Sequence, residues 1–412
     1  MTGRVASVAA ETIAAIRSAV AAQHDSLPNL LAELIAIESH ATQPEGVAAV
    51  ARVVERELIP AGFTWERRRS AVPAEAWLAD LMLPGKDYES VADVVVGRRP
   101  GEPGRALLLG DLDTSYEAGA TARFPFRIED GLAFGPGVAD MKGGLVVLVA
   151  ALRALQELPG PAITVVLSPD EQAGSLASRA VIEAEAAGAD WCFCLECARD
   201  GGSLMGSRAH IGVGRLDVWG VEAHAGTAHA SGASAVEELA HHVIALQGLT
   251  DPAACVYVTV GQIQGGRRRS VVPGHAWCTI DLRVPDARAW ELLEARIRDL
   301  VAVARVPRTR TELRVHSHRP GVSRTEKTEQ LIAVARRAGA AAGISFGVMP
   351  SSAAGSSAFA GALGIPTLDG MGPVGGDLMT EREHIELKSL GERALLLALT
   401  LHLLASDKGG SA

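Results

Sequence analysis

Residues 106–144 read ALLLGDLDTSYEAGATARFPFRIEDGLAFGPGVADMKGG, and this stretch decides the fold. An apolar run, Ala106 to Leu109, ends in carboxylates on alternate residues, Asp111 and Asp113. A third acid, Asp140, lies in a Gly-rich turn just before an apolar helix predicted from Gly144 to Leu155. In an open α/β sheet, ligands collect beyond the carboxyl ends of the parallel strands. Acids placed there hold a cation or move a proton.

The flanking sequence repeats the arrangement. Ile163 to Leu167 is a β-branched run of strand length, and it ends in Ser168-Pro169-Asp170-Glu171-Gln172. Asp190 to Leu195 is another such run and ends in Glu196. Three strand ends thus deliver acidic or amide groups, a convergence that surface solvation does not explain. Ala92 to Val96 is a further strand. Two helices are expected between Val5 and Ser39, broken near His24 to Pro28, with Ser26 as the start signal of the second. A third covers Val47 to Leu58.

From about Gly206 the pattern changes to alternating strands, RLDVWGV and AWCTIDLRV, with helices at Ala233 to Gln247 and Ala287 to Val303. This is a β-α-β-β-α-β unit ending near Val315. After Gly321 the first pattern returns, with a helix at Thr325 to Gly339, a strand at Ile365 to Leu368 and a helix at Leu387 to Leu404. Gly409 to Ala412 reads as a flexible tail. The predicted fold class is α/β. A discontinuous catalytic domain, residues 1–205 and 318–412, has a mostly parallel sheet flanked by helices. An α+β, ferredoxin-like lid is inserted at 206–317.

At 412 residues the chain has room for two cores. A hydrophobic content of 48% and a charged content of 21% are ordinary for a globular protein. The formal net charge of −9 excludes a general phosphate-backbone binder, and the run Arg267-Arg268-Arg269 reads as a solvated or substrate-facing loop. Five cysteines, an odd number, do not form a disulfide framework. A reducing compartment is their simplest setting. Glu11 and Arg17 interrupt any signal-peptide core, and the longest apolar runs, Leu145 to Leu152 and Ala394 to Leu401, are too short to span a bilayer. The expectation is a cytoplasmic chain with neither nucleic acid nor membrane as partner.

DLDT, PFRIEDGLAFGPGVADMKGG and PDEQAGS resemble the signatures of the co-catalytic zinc metallopeptidases. That family includes glutamate carboxypeptidase, the aminoacylases, acetylornithine deacetylase and succinyl-diaminopimelate desuccinylase. The similarity to the glutamate carboxypeptidase branch extends over nearly the whole chain in order and spacing. It implies an enzyme acting on an amide bond of an amino acid or small peptide. It also implies a lid that pairs two chains into a homodimer, and a small substrate bearing a carboxylate. In the family's pattern the first strand end reads His-x-Asp, a metal ligand and the acid that orients it. Here these are Asp111 and Asp113. Asp140 matches the bridging carboxylate, Glu171 the general base and Glu196 a terminal ligand.

Other positions depart from the pattern. A ligand Glu is Gln172, and a ligand His is Met379 in GPVGGDLMTEREHIE. An Asp of the preceding Gly-rich loop is Ser356. Neutral amide and thioether groups do not replace a carboxylate and an imidazole around zinc. The metal held by those residues is therefore expected to be lost. Asp111, Asp140 and Glu196 remain as an all-oxygen set that suits one hard ion, Mg²⁺, Mn²⁺ or Ca²⁺, better than Zn²⁺. One divalent cation, none, and an ordinary two-zinc pair stay open at this point.

In the lid, EAHAG resembles the segment whose His, here His224, reaches across the dimer to polarise the scissile carbonyl; a structural hydrogen bond is its other reading. GGRRRSVVP followed by DLR resembles the substrate-carboxylate clamp, with Arg283 in place and Ser270 where Asn is usual. Arg208 in GSRAHIG fits a basic position beside the site. Either Arg binds a substrate carboxylate bidentately or pairs with lid acids. Cys197 is both a thiolate candidate and a buried strand-end residue, while Cys192 and Cys194 belong to the core. Three functions follow from the resemblance and its departures. They are an amide-cleaving or amide-forming enzyme with an altered metal requirement, a conventional zinc carboxypeptidase or deacylase, and a non-catalytic small-molecule-binding homologue.

Overall fold

A computed structural model of the chain describes residues 2–69, 76–82 and 91–409. Of the expected tail, Gly409 ends the last helix and residues 410–412 lie outside the described residues. The chain forms two compact units, one of Met1–Gly206, Arg324–Pro350 and Gly355–Ala412, the other of Ser207–Ser323 and Ser351–Ala354.

The first unit is built on a six-stranded sheet. Its order is Thr64–Arg68, Val94–Arg99, Ala162–Ser168, Arg105–Asp111, Trp191–Cys194, Thr367–Leu368. The last three pairings are parallel and the first two antiparallel. Arg105–Asp111 is central and buried from its second residue onward, as an apolar strand covered on both faces must be. Its side chains alternate. Ala106 and Leu108 enter the core under helices Gly143–Ala154 and Ser389–Gly409, while Leu107 and Leu109 join Val94, Val166 and Phe359 on the other side. Parallel register sets Asp111 beside Ser168 and Leu109 beside Cys194. The residues following all three strands therefore emerge at one edge.

Two glycines bring the acid-bearing turn against that edge. A Cβ on Gly144 would stand 2.0 Å from the Leu195 carbonyl oxygen, so the buried helix starts in contact with the strand end that precedes Glu196. Gly137 has φ +75° and would place a Cβ 2.4 Å from Thr114, a conformation and a space only glycine fits. Between them Asp140 and Met141 leave helical geometry, with φ −121° and −136°.

The second unit has strands in the order Tyr257–Gly265, His275–Val284, His210–Trp219, Arg310–Arg319, all antiparallel. Helices Ala235–Gln247 and Ala287–Val301 cover one face. Ser234 and Asp286 cap these helices by accepting the N–H groups of Glu237 and Ala289. Connection and strand order are those of a β-α-β-β-α-β sandwich.

Ser26 does precede the second helix, but its hydroxyl donates to the Gln23 carbonyl and accepts no N–H from the first turn. The bilayer-length reading also needs correction. Ser389–Lys408 is long and apolar enough to cross a membrane by length and composition, and 72% of its apolar window is buried inside the protein.

Candidate active site

Asp111, Glu171 and Glu196 come from three different strand ends, and each offers a carboxylate oxygen within 4.8 Å of the others. All three are buried, and Asp111 is only 1% exposed. Burial first, and then the charges of Glu171 and Glu196, push the Asp111 carboxyl well above the usual range. Neither Asp111 oxygen meets a hydrogen-bond donor among the described residues. A buried carboxylate without donors is costly, so this cluster is built to hold protons or a cation.

Asp113, fully buried, turns the other way. Its two oxygens accept the backbone N–H groups of Glu171 and Gln172, each at 2.9 Å. It therefore fixes the segment carrying Glu171. Asp140 stands beside the trio: Gln172 Nε2 donates to Asp140 Oδ1 at 3.0 Å and to Glu171 Oε2 at 3.2 Å. Burial, and then the charges of Glu171 and Glu383, push the Asp140 carboxyl up to about 8. The sequence placed Asp140 with Asp111 and Glu196 as donors; the tight trio contains Glu171, and Asp140 is bridged to it by an amide. Asp170 belongs to the turn, where it accepts the Ala177 N–H at 2.7 Å.

Glu383, which sequence reasoning missed, is buried beneath Asp140. Its Oε1 accepts the N–H groups of Ala139 at 2.8 Å and Asp140 at 3.0 Å. Its Oε2 accepts the Met379 N–H at 3.2 Å and the hydroxyl of Tyr116. One carboxylate thus ties the C-terminal loop to the Asp140 turn. Its signal, an acid in the charged run TEREHIE, does not differ from a solvated loop.

Residues 107–402 match the family model described as peptidase family M20/M25/M40. The chain belongs to that family. It is similar to carboxypeptidase G2 of Pseudomonas sp. (strain RS-16), 27% identical over 385 residues, covering 92% of this chain and 89% of that protein. Acetylornithine deacetylase of Myxococcus xanthus is 28% identical over 301 residues, 67% of this chain and 73% of the other. Two solved structures share the fold. An aminopeptidase from Bacillus cereus has a TM-score of 0.72 at 19% identity, covering 93% of this chain and 99% of that one. Human carnosine dipeptidase 1 has a TM-score of 0.70 at 14% identity, covering 96% and 99%. The chain is accordingly a hydrolase of the M20 class, acting on peptide or amide bonds.

M20 proteins use divalent metals, and the residues here divide by fit. Asp111, Glu171 and Glu196 offer buried oxygens, one side chain of them wholly without donors, and fit a hard cation. The residues that the resemblance puts at a second metal position do not fit one. Gln172 presents an N–H donor to Asp140, and Met379, at φ +61°, is 57% exposed. Ser356 is buried beside Cys194, with Sγ and Oγ 3.8 Å apart. Cys197 lies in the core, where burial pushes its thiol up to about 12, in keeping with a buried strand-end residue. Cys192 and Cys194 lie in the core of the opposite sheet face.

The remaining residues singled out from the resemblance belong to the second unit. His224 pairs with Val271, and the Ser270 carbonyl accepts the Ala225 N–H at 2.9 Å, so His224 and Ser270 are brought side by side. His224 Nδ1 accepts the N–H groups of Gly226 and Thr227, both at 3.1 Å. With Nδ1 accepting, Nε2 is the ring's donor. Arg283 binds Asp281 through Nε at 2.8 Å and Nη2 at 3.3 Å, and the Ser352 carbonyl through Nη1 at 2.6 Å. Three of its five donors are used, leaving one N–H on each Nη. Arg208 is buried and donates to the carbonyls of Ala353 and Ala354 at 2.8 and 2.7 Å. It holds the 351–354 segment through these two bonds.

Proposed function

We propose that the chain hydrolyses the amide bond of a small N-acyl amino acid or peptide bearing a free carboxylate, with Glu171 as acid and base. The observation that carries this is the position of Glu171: its main chain is pinned by Asp113 and its carboxylate stands among Asp111 and Glu196. A general base must stand within reach of the proton it takes, and the two main-chain hydrogen bonds to Asp113 fix where this carboxylate stands. Glu171 takes a proton from water as the new carbon–oxygen bond forms. It then delivers that proton to the amide nitrogen as the carbon–nitrogen bond breaks, releasing an acid and an amine. One divalent cation, Mn²⁺, Mg²⁺ or Zn²⁺, would be held by Asp111 and Glu196 with an oxygen of the Glu171–Asp140 side, and it would polarise the carbonyl and acidify water.

His224 supplies an Nε2–H to the developing oxyanion. In this reading it acts in the site of a partner, within a homodimer formed through the inserted unit. The strand Tyr257–Gly265 is a long edge with Tyr257 and Ile263 exposed, and Ile244 lies exposed on helix Ala235–Gln247. A long, exposed edge strand favours pairing with a second copy. The free donors of Arg283 recognise the substrate carboxylate. All five cysteines are free thiols, which supports a cytoplasmic setting, with neither nucleic acid nor membrane as partner.

The test is release of free amine from a panel of N-acyl amino acids and dipeptides, each with its carboxylate free or amidated. Measurements are made with chelator and with Mn²⁺ added. Turnover confined to the free carboxylates supports the reading. Binding without turnover across the panel in both conditions favours a non-catalytic homologue.

A further inference from the structure

The contact between Gln172 and two carboxylates sets the number of ions this centre takes. Gln172 Nε2 lies 3.0 Å from Asp140 Oδ1 and 3.2 Å from Glu171 Oε2. Facing two carboxylate oxygens, the amide must present its NH₂ end, because its carbonyl oxygen would be repelled by both. We infer that the Gln172 amide takes the place of a second cation between Asp140 and Glu171, so that a second ion is excluded while that side chain is there.

Three features support this. An NH₂ group carries a partial positive charge and bridges two acceptors, as an ion would, but it has no lone pair to give to a metal. Rotating it to offer the carbonyl would break both hydrogen bonds. The remaining side chain in reach of this turn by sequence, Met379, is 57% exposed. Its main-chain N–H is already held by Glu383 at 3.2 Å. Asp140 and the Glu171 oxygen shared with the trio would be left to hold that ion, too few donors to displace its hydration. The inference rests on the carboxylate cluster of the proposed function, but not on the reaction assigned to it.

The experiment is metal stoichiometry of the full chain after equilibration with Mn²⁺ or Zn²⁺ and gel filtration, for wild type and for the double variant Gln172→Glu/Met379→His. The double variant is expected to bind one equivalent more than wild type, whether wild type holds one or none. Equal stoichiometry in the two proteins, or two equivalents in wild type, would overturn the inference. Should the double variant fold poorly, Gln172→Leu in the metal-free chain gives a second reading. Loss of the bridge is expected to lower Tm by about 2 °C or more. An unchanged Tm would contradict the bridge. Neither outcome depends on turnover, so a failed assay of Glu171 and a failed stoichiometry are separate results.

Discussion

Asp113 holds Glu171 by its main chain: one carboxylate oxygen accepts the Glu171 N–H at 2.9 Å, and the other accepts that of Gln172 at 2.9 Å. The acid two residues past the central strand therefore does its work on the neighbouring strand's exit loop. It aims both the proposed base and the amide that bridges it to Asp140.

Asp113→Asn keeps the size but turns one acceptor into a donor facing an N–H. The loss of one buried hydrogen bond, with an N–H left unsatisfied, costs about 1–3 kcal/mol. The expected result is a modest fall in Tm together with a fall in kcat of at least tenfold and little change in KM, since the displaced group acts in the transition state. A variant with lowered Tm and unaltered kcat would reduce Asp113 to a fold-holding residue.

Much of this was legible because buried parallel strands are written as unbroken apolar runs. Ala106 to Leu109, Ile163 to Leu167 and Asp190 to Leu195 could be placed with their acids at one edge. The edges of the sheets were not legible. Thr64–Arg68 carries Glu66, Arg67 and Arg68, and Tyr257–Gly265 is mostly exposed, so neither has the pattern of a covered strand. Within the site, Asp111, Glu171 and Glu196 were found from their strand ends. The exchange of Asp140 for Glu171 in the trio was not, because it depends on where a side-chain amide points. Glu383 escaped for a similar reason: its burial is created by residues 116 and 139–140, far away in the chain. Met379 stands in a left-handed backbone that no pattern announces, and it is exposed there.

The dimer proposal has its own check. His224→Ala chains and Glu171→Gln chains, each inactive as homodimers, are mixed and refolded or co-expressed. If His224 serves the partner's site, each heterodimer has one site with both groups intact, and about half the wild-type activity per heterodimer is expected. Demonstrated heterodimers without any recovery would remove His224 from the mechanism.

A pH effect is expected in the inserted unit. Asp217 is buried, which opposes its charge, but hydrogen bonds from Arg215 at 2.9 Å and Arg314 at 2.5 Å outweigh this and lower its pKa. A lowered folded-state pKa contributes stability that is present above the unfolded value, about 4, and is lost as pH falls through the folded value. Asp217→Asn should therefore destabilise the chain by on the order of 1–2 kcal/mol at pH 7. The gap to wild type should narrow below about pH 4. Denaturant midpoints of both proteins at pH 7 and pH 3 give the answer, and a gap independent of pH would contradict the pairing.

The central claim is that Glu171 moves the proton in amide hydrolysis. Glu171→Gln is nearly isosteric and leaves the N–H held by Asp113 in place, but it cannot accept a proton. The direct measurement is kcat of this variant on whichever amide the wild-type chain turns over, at saturating Mn²⁺ and with Tm recorded in parallel. The account predicts a fall of roughly a hundredfold or more with the fold retained. Activity within a few-fold of wild type in a folded Glu171→Gln chain would contradict it.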